Sequence, residues 1–119
     1  MSAAFTTFFD AWGDPDAGSR AAALASVTSD TSTYSDPRSG GDLVGTTAIA
    51  EYVAAFSANA PGWSATVENS SEVNGYWRLR VAFGGKGPGG QDMVQHGTYF
   101  AMLSGGMIAL LAGFVGAEA

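Results

Sequence analysis

The last quarter of the chain restricts the fold most. Residues 91–103 and 107–115 are two long, largely apolar runs, separated only by Ser104-Gly105-Gly106. Extended runs joined by so short a glycine turn pair as an antiparallel hairpin. With Gly105-Gly106 as the turn, Ser104 faces Met107 and Leu103 faces Ile108. One face then carries Tyr99, Ala101, Leu103, Ile108, Leu110, Ala112 and Phe114. The other carries His96, Thr98, Phe100, Met102, Met107, Ala109 and Leu111. Both faces are apolar. A sheet with one wet face alternates with polar residues, so this one needs cover on both sides.

The first half supplies cover for one side. Phe5, Phe8, Phe9 and Trp12 recur at helical spacing and form one apolar stripe, with Ser2 as a candidate cap. Asp14-Pro15-Asp16 reads as a second helix start, with Asp14 as N-cap and Pro15 as the first helical residue. Ala17, Ala21, Leu24 and Val27 form its inner face. Thr31 to Ser35 favours a short strand, and Asp36-Pro37 a turn. Ile49, Tyr52, Val53 and Phe56 predict a third helix led by Gly45 and stopped by Asn59-Ala60-Pro61-Gly62. A second hairpin follows. Asn74-Gly75 joins Trp63–Val73 to Tyr76–Phe83 through a type I′ turn. Gly84 to Gly90 reads as a flexible loop, and Gly116 to Ala119 as a fraying tail.

Helices first and a meander afterwards make an α+β fold, expected as one domain over 1–119. Three helices cover one face of the sheet. The simplest cover for the other is a second copy of the chain, so a homodimer packed sheet to sheet is expected.

Composition removes several functions. Five basic residues against 11 acidic ones give a net charge of −6, which disfavours nucleic acid and anionic membrane surfaces. The chain has no cysteine and one histidine, so a thiolate or multi-histidine metal site is not expected. The start MSAAFTTFFDAW lacks the basic region and long apolar run of a signal peptide. No stretch reaches the roughly 18 apolar residues of a membrane span, so a cytoplasmic protein is expected.

The order Tyr34-Ser35-Asp36-Pro37, a Gly45-led helix ending in Tyr52-Val53-Ala54-Ala55-Phe56, then Pro61-Gly62, resembles the nuclear transport factor 2-like superfamily. More closely, it resembles the SnoaL-like polyketide cyclase branch. Arg80-Val81-Ala82-Phe83, His96-Gly97-Thr98-Tyr99-Phe100, Met107-Ile108 and Gly113-Phe114 are similar to that branch's strand motifs. The resemblance implies three helices packed on a strongly curved antiparallel sheet, a cone-shaped, cystatin-like α+β barrel with a pocket at its wide end. It also implies dimers through the outer face of the sheet. It further implies a small apolar, cyclic or polyketide-like ligand and cofactor-free acid–base isomerisation or cyclisation. A non-catalytic ligand-binding or dimerisation domain is the alternative, because members of this superfamily do both. Tyr99 stands where some catalytic members carry an acid, so a base from that position is absent.

The residues that can carry chemistry are few. Asp36 is the leading carboxylate, as a general base or as the acceptor of an Asx turn. Arg80 offers a fork of donors for an anionic oxygen, or an ion pair with Asp36, Glu68 or Asp92. Tyr99 is a donor to a developing oxyanion, or a core tyrosine. Trp12, Tyr34, Tyr52, Phe56 and Trp63 are core, or the wall of a pocket for a flat ligand. His96 falls on the opposite face by strand parity, where a structural role is expected, although it can act as a base or contact the ligand.

Overall fold

The computed structural model describes residues 3–116. The candidate cap Ser2 and the tail residues 117–119 lie outside the described residues. Helices α1 (Ala3–Asp10), α2 (Ala17–Val27) and α3 (Thr46–Asn59) pack on a six-stranded sheet. Its strands are β1 (Thr33–Ser35), β2 (Leu43–Val44), β3 (Ser64–Val73), β4 (Tyr76–Lys86), β5 (Asp92–Ser104) and β6 (Met107–Val115). The order across the sheet is β2-β1-β6-β5-β4-β3.

The strands expected from the sequence are present, with two corrections to the architecture. The sheet is mixed rather than purely antiparallel, because β1 pairs parallel to β6. Its edges β2 and β3 do not pair with each other, so the sheet is curled but not closed into a barrel. The two-residue strand β2 has too little sequence to announce itself. It exists because Val44 and Leu43 pair with Thr33 and Tyr34.

Local chemistry explains where the elements begin and end. Helix α1 tightens into a 3-10 turn at Ala11–Gly13 rather than running through Trp12, and Trp12 stays buried. The cap of α2 is Asp16, not Asp14. Asp16 accepts from Ser19 N at 2.7 Å, while Asp14 accepts from Asp16 N at 2.9 Å in the turn before it. The buried side of α2 is Arg20, Leu24 and Val27, whereas Ala17 and Ala21 are exposed. Arg20 is tolerated there because Nη1 donates to Asp14 O at 2.8 Å and to Ser57 Oγ at 3.3 Å. Asn74 and Gly75 both have positive φ (52° and 87°), as a type I′ turn requires. The 84–90 segment is less of a loop than expected, since β4 continues to Lys86 through Gly84 and Gly85. A β-carbon at Gly85 would sit 2.6 Å from the Trp63 ring, so glycine lets that indole lie flat on the strand.

Two β-bulges reassign the faces of the sheet. The register shifts between Val67 and Asn69, leaving Glu68 unpaired, and between Met102 and Leu103, where Ala109 is skipped. With Ala109 skipped, Ile108 before the bulge and Leu111 after it both turn inward and are buried beside Tyr99 and Ala101. Leu110, Ala112 and Phe114 therefore join Phe100 and Met102 outside, which corrects the strict alternation expected for this strand. The core combines Phe5, Phe8 and Phe9 of α1 with Leu24, Ile49, Val53, Leu79, Val81, Ile108 and Leu111. The outer face remains apolar. Phe100 and Phe114 are each 57% exposed and meet edge to face at 6.3 Å.

The bulge makes a stability prediction. Leu111→Ala is expected to cost about 2–5 kcal/mol, the usual range for emptying a core leucine site. Leu110→Ala, on the half-exposed outer face, is expected to cost less. Urea denaturation of both variants checks the order. Strict alternation would reverse it.

Candidate functional site

A half-open cavity of about 980 Å³ lies between helix α3, the turn after α1 and the sheet. Helix α3 sends Tyr52 and Phe56 to it, the turn after α1 sends Trp12, and the sheet contributes Phe83, Met93 and Tyr99. Trp63 stands at the rim, with Nε1 donating to Lys86 O at 3.0 Å. Asp36, Pro37 and Arg38 close the side next to β1. Aromatic side chains are the most prominent part of the wall, which also carries Asn59, Gln95 and His96, and several of the rings pack against each other. Trp12 packs edge-on against Phe56 at 5.0 Å and against Tyr52 at 6.0 Å.

One polar cluster interrupts this wall. Asp36 Oδ2 accepts from Tyr34 Oη at 2.6 Å. Tyr52 Oη donates to both carboxylate oxygens, at 2.8 and 2.9 Å. Arg38 N donates to Oδ1 at 2.9 Å, which is the Asx turn expected of Asp-Pro. Tyr34 Oη and Tyr99 Oη lie 2.7 Å apart. Strand β1 presents Tyr34 and the turn just after it Asp36, β5 presents Tyr99, and α3 presents Tyr52. The parallel pairing of β1 with β6 brings these elements together.

The geometry makes all three phenols poor acids. Tyr34 is held well above its ordinary range, first by burial and then by the neighbouring Tyr99 and Asp36. Burial also pushes Tyr99 up, with the Asp36 charge adding to it. Tyr52 rises through burial and its contact with Asp36, partly offset by Arg38. A negative phenolate would be desolvated and set beside a carboxylate, and both effects disfavour it.

The expected site residues divide clearly. Asp36, Tyr34, Tyr52 and Tyr99 come together, and Trp12, Phe56 and Trp63 line the same cavity. Tyr34 does not line it but sits behind, 1% exposed. Arg80 does not reach the cavity. Leu79 and Val81 of β4 point inward, so Arg80 faces out, where Nε pairs with Glu68 Oε1 at 3.2 Å. His96 lines the cavity, yet its Nε2 lies 3.3 Å from the same Glu68 carboxylate. The bulged residue Glu68 thus gathers the two basic side chains. Arg38, Phe83 and Met93 also line the cavity and were not singled out from the sequence. Asp36-Pro37-Arg38 is a signal for Arg38, since the turn that aims the carboxylate also brings the next basic side chain to the cavity. Trp12 Nε1 is a buried donor without a partner among the described residues. Among those residues no group of three His, Asp or Glu side chains could hold a metal ion, and no helix is long and apolar enough to cross a membrane.

A curled α+β cone with a polar cluster in an aromatic cavity defines a recognisable class. The model of the SnoaL-like domain matches residues 5–111, and the chain belongs to that family. Solved structures share the fold. A proposed isomerase of the SnoaL-like family from Agrobacterium tumefaciens superposes with TM-score 0.79 at 22% identity, over 95% of this chain and 94% of that one. An NTF2-like protein of unknown function from Exiguobacterium sp. gives 0.77 at 22% identity, over 97% and 99%. A proposed SnoaL-like polyketide cyclase from Jannaschia sp. gives 0.73 at 14% identity, over 92% and 80%. At these identities the likeness shows the fold. No curated protein matches the chain.

The raised phenols predict behaviour at alkaline pH. Their folded pKa values exceed the unfolded value of about 10, so the folded state holds protons that the unfolded chain has released. This contribution to stability is complete below about pH 10 and is lost as pH rises toward the folded values. An ultraviolet absorbance titration is expected to show that Tyr34, Tyr52 and Tyr99 remain un-ionised at about pH 11 while circular dichroism is still native, and that they ionise together with unfolding. Independent ionisation of four tyrosines near pH 10 would contradict the cluster.

Proposed function

We propose that this chain binds a small, flat, apolar molecule in the cavity and performs cofactor-free acid–base chemistry on it, an isomerisation or cyclisation, with Asp36 as the base. The observation that carries this reading is the Asp36 carboxylate set among three tyrosine hydroxyls at a cavity that Trp12, Phe56, Trp63 and Phe83 also line. A mostly apolar cavity with a few convergent polar groups, of about this volume, is the usual form of a small-molecule site. The neighbours named as isomerase and polyketide cyclase agree with this class of reaction. Trp12, Phe56, Trp63 and Phe83 provide flat apolar contact, and Tyr52 and Tyr34 hold the carboxylate in place. Arg80 has no part in the chemistry, because it faces away and is paired.

One observation favours the alternative of a non-catalytic binding domain. Asp36 already accepts from Tyr34, Tyr52 and the Arg38 N–H, which leaves its carboxylate oxygens little free capacity for a substrate proton. Turnover separates the two readings. Native mass spectrometry of freshly purified protein identifies any retained molecule, and related compounds then serve as substrates. Asp36→Asn is expected to lower kcat by about 10²–10⁴-fold with little change in KM. A ligand that is released unchanged by wild type, and bound equally by Asp36→Asn, would establish the binding domain instead.

The reading includes a homodimer through the outer face of the sheet. Val73, Tyr76, Phe100, Met102 and Phe114 are exposed there, and a shallow hollow of about 590 Å³ lies among four of them, Met102 excepted. Burying such a face in a second copy removes apolar area from water on both partners. Sedimentation at micromolar concentration is expected to give a dimer for wild type and a folded monomer for Phe100→Glu. A wild-type monomer would remove this part of the proposal.

A further inference from the structure

The hydroxyl protons of the cluster can be counted. A phenol has one proton to give and lone pairs to receive. Tyr34 gives its proton to Asp36 Oδ2 at 2.6 Å. Tyr52 gives its proton to the same carboxylate. Tyr34 and Tyr99 also meet, oxygen to oxygen, at 2.7 Å. Tyr34 has no second proton, so Tyr99 is the donor in that contact. Tyr99 has then spent its own proton. Asp36, Tyr52 and Tyr99 line the cavity, and what the cluster offers a ligand there is lone pairs alone. This reverses the expectation of Tyr99 as a donor to an oxyanion.

We infer that the cavity selects a molecule with a weakly acidic O–H group, a phenol or an enol, which donates to Tyr99 Oη, and that Tyr34 is the positioning residue that makes Tyr99 an acceptor. The inference rests on the acid–base reading above and names the kind of group the site accepts. Tyr34 is suited to the task because it is 1% exposed and packed against Phe8 at 5.9 Å and Trp12 at 5.8 Å. Its hydroxyl has no solvent to turn toward, so the direction of the chain is held. The same chain can take a proton. The ligand O–H bond breaks as a new O–H bond forms on Tyr99. The former Tyr99 proton moves to Tyr34, and the former Tyr34 proton moves to Asp36 Oδ2. The ligand is left as an anion and Asp36 as a neutral acid, with no other reactant required. No tyrosinate persists, in keeping with phenols that resist ionisation.

The test uses 4-nitrophenol and its methyl ether, 4-nitroanisole, as probes on the full chain, with binding read by quenching of tryptophan fluorescence. Wild type is expected to bind 4-nitrophenol about tenfold more tightly than the ether, the worth of one hydrogen bond. That preference is expected to vanish as pH rises and the probe becomes its coloured phenolate, which has no proton to give. In Tyr34→Phe the Tyr99 proton is released from its bond. The preference is then expected to invert, with the phenolate bound better than the phenol and the ether unchanged. Loss of a purely structural side chain would weaken all three probes alike. Tyr99→Phe is expected to equalise phenol and ether, and it serves if Tyr34→Phe does not fold. Equal binding of phenol and ether by wild type would overturn the inference, as would a Tyr34→Phe variant with wild-type preference. If wild type binds the ether but shows no preference, the cavity stands and the proton count fails. If it binds neither probe, the cavity reading itself fails.

Discussion

The site depends on a notch in strand β6. Tyr99 on β5 is directly opposite Gly113, and Tyr34 on β1 lies on the far side of β6. For the two hydroxyls to meet, the Tyr99 ring must cross over β6. A β-carbon at Gly113 would sit 2.6 Å from that ring, closer than any packing allows. At Gly97, two residues before Tyr99 on β5, a β-carbon would sit 3.5 Å from the ring, an ordinary contact, so the missing side chain that matters is at Gly113. It gives a long aromatic residue room to lie along the sheet and deliver its oxygen to a neighbour two strands away.

The second constraint is the addition of β1 in parallel to β6. Three residues suffice for it, with Thr33, Tyr34 and Ser35 paired to Leu110, Leu111 and Ala112. Ser32 strengthens the join by donating to Ile108 O. This short strand carries the chain from the helical layer to the sheet and stops at Asp36-Pro37. Tyr34 then points into the core and Asp36 ends at the cavity. The carboxylate is held by a backbone turn on one side and by phenols from two different elements on the other. A buried cluster of this kind is stable only when each member has a partner, and here each does.

The two bulges separate the roles of the faces. Without the irregularity at Glu68, alternation would put Arg80 on the same side of the sheet as Val67. With it, Val67 pairs with Val81 inside while Arg80 and Asn69 face out. Glu68 meets Arg80 and His96 at once, so both basic groups are engaged away from the tyrosine cluster. The bulge at Ala109 does the same for apolar residues. It sends Leu111 into the core and leaves Phe114 with Phe100 on the outer face. One unpaired residue in each strand is enough, because side chains in a strand change face at every step.

Local patterns in the sequence determined much of this protein. The helical stripe Phe5, Phe8, Phe9 and Trp12 marks a buried α1, Ile49 and Val53 mark the inner side of α3, and Asn74-Gly75 and Gly105-Gly106 mark both hairpin turns. These signals are legible because they depend on residues within one turn of helix or one tight turn. The family resemblance was also carried by short motifs in order, and Asp36 was visible as a carboxylate in an Asp-Pro turn. Tertiary structure alone decided which side chains share the site. The bulges, the parallel join of β1 to β6 and the crossing of Tyr99 over Gly113 depend on pairing between strands up to about 80 residues apart in sequence. That pairing turned Arg80 away from the cavity, brought Arg38 and Phe83 to it, and set Tyr99, Tyr34 and Asp36 within hydrogen-bonding distance in series. Such contacts exist only once the strands have paired, and no local pattern of residues encodes a contact of that length.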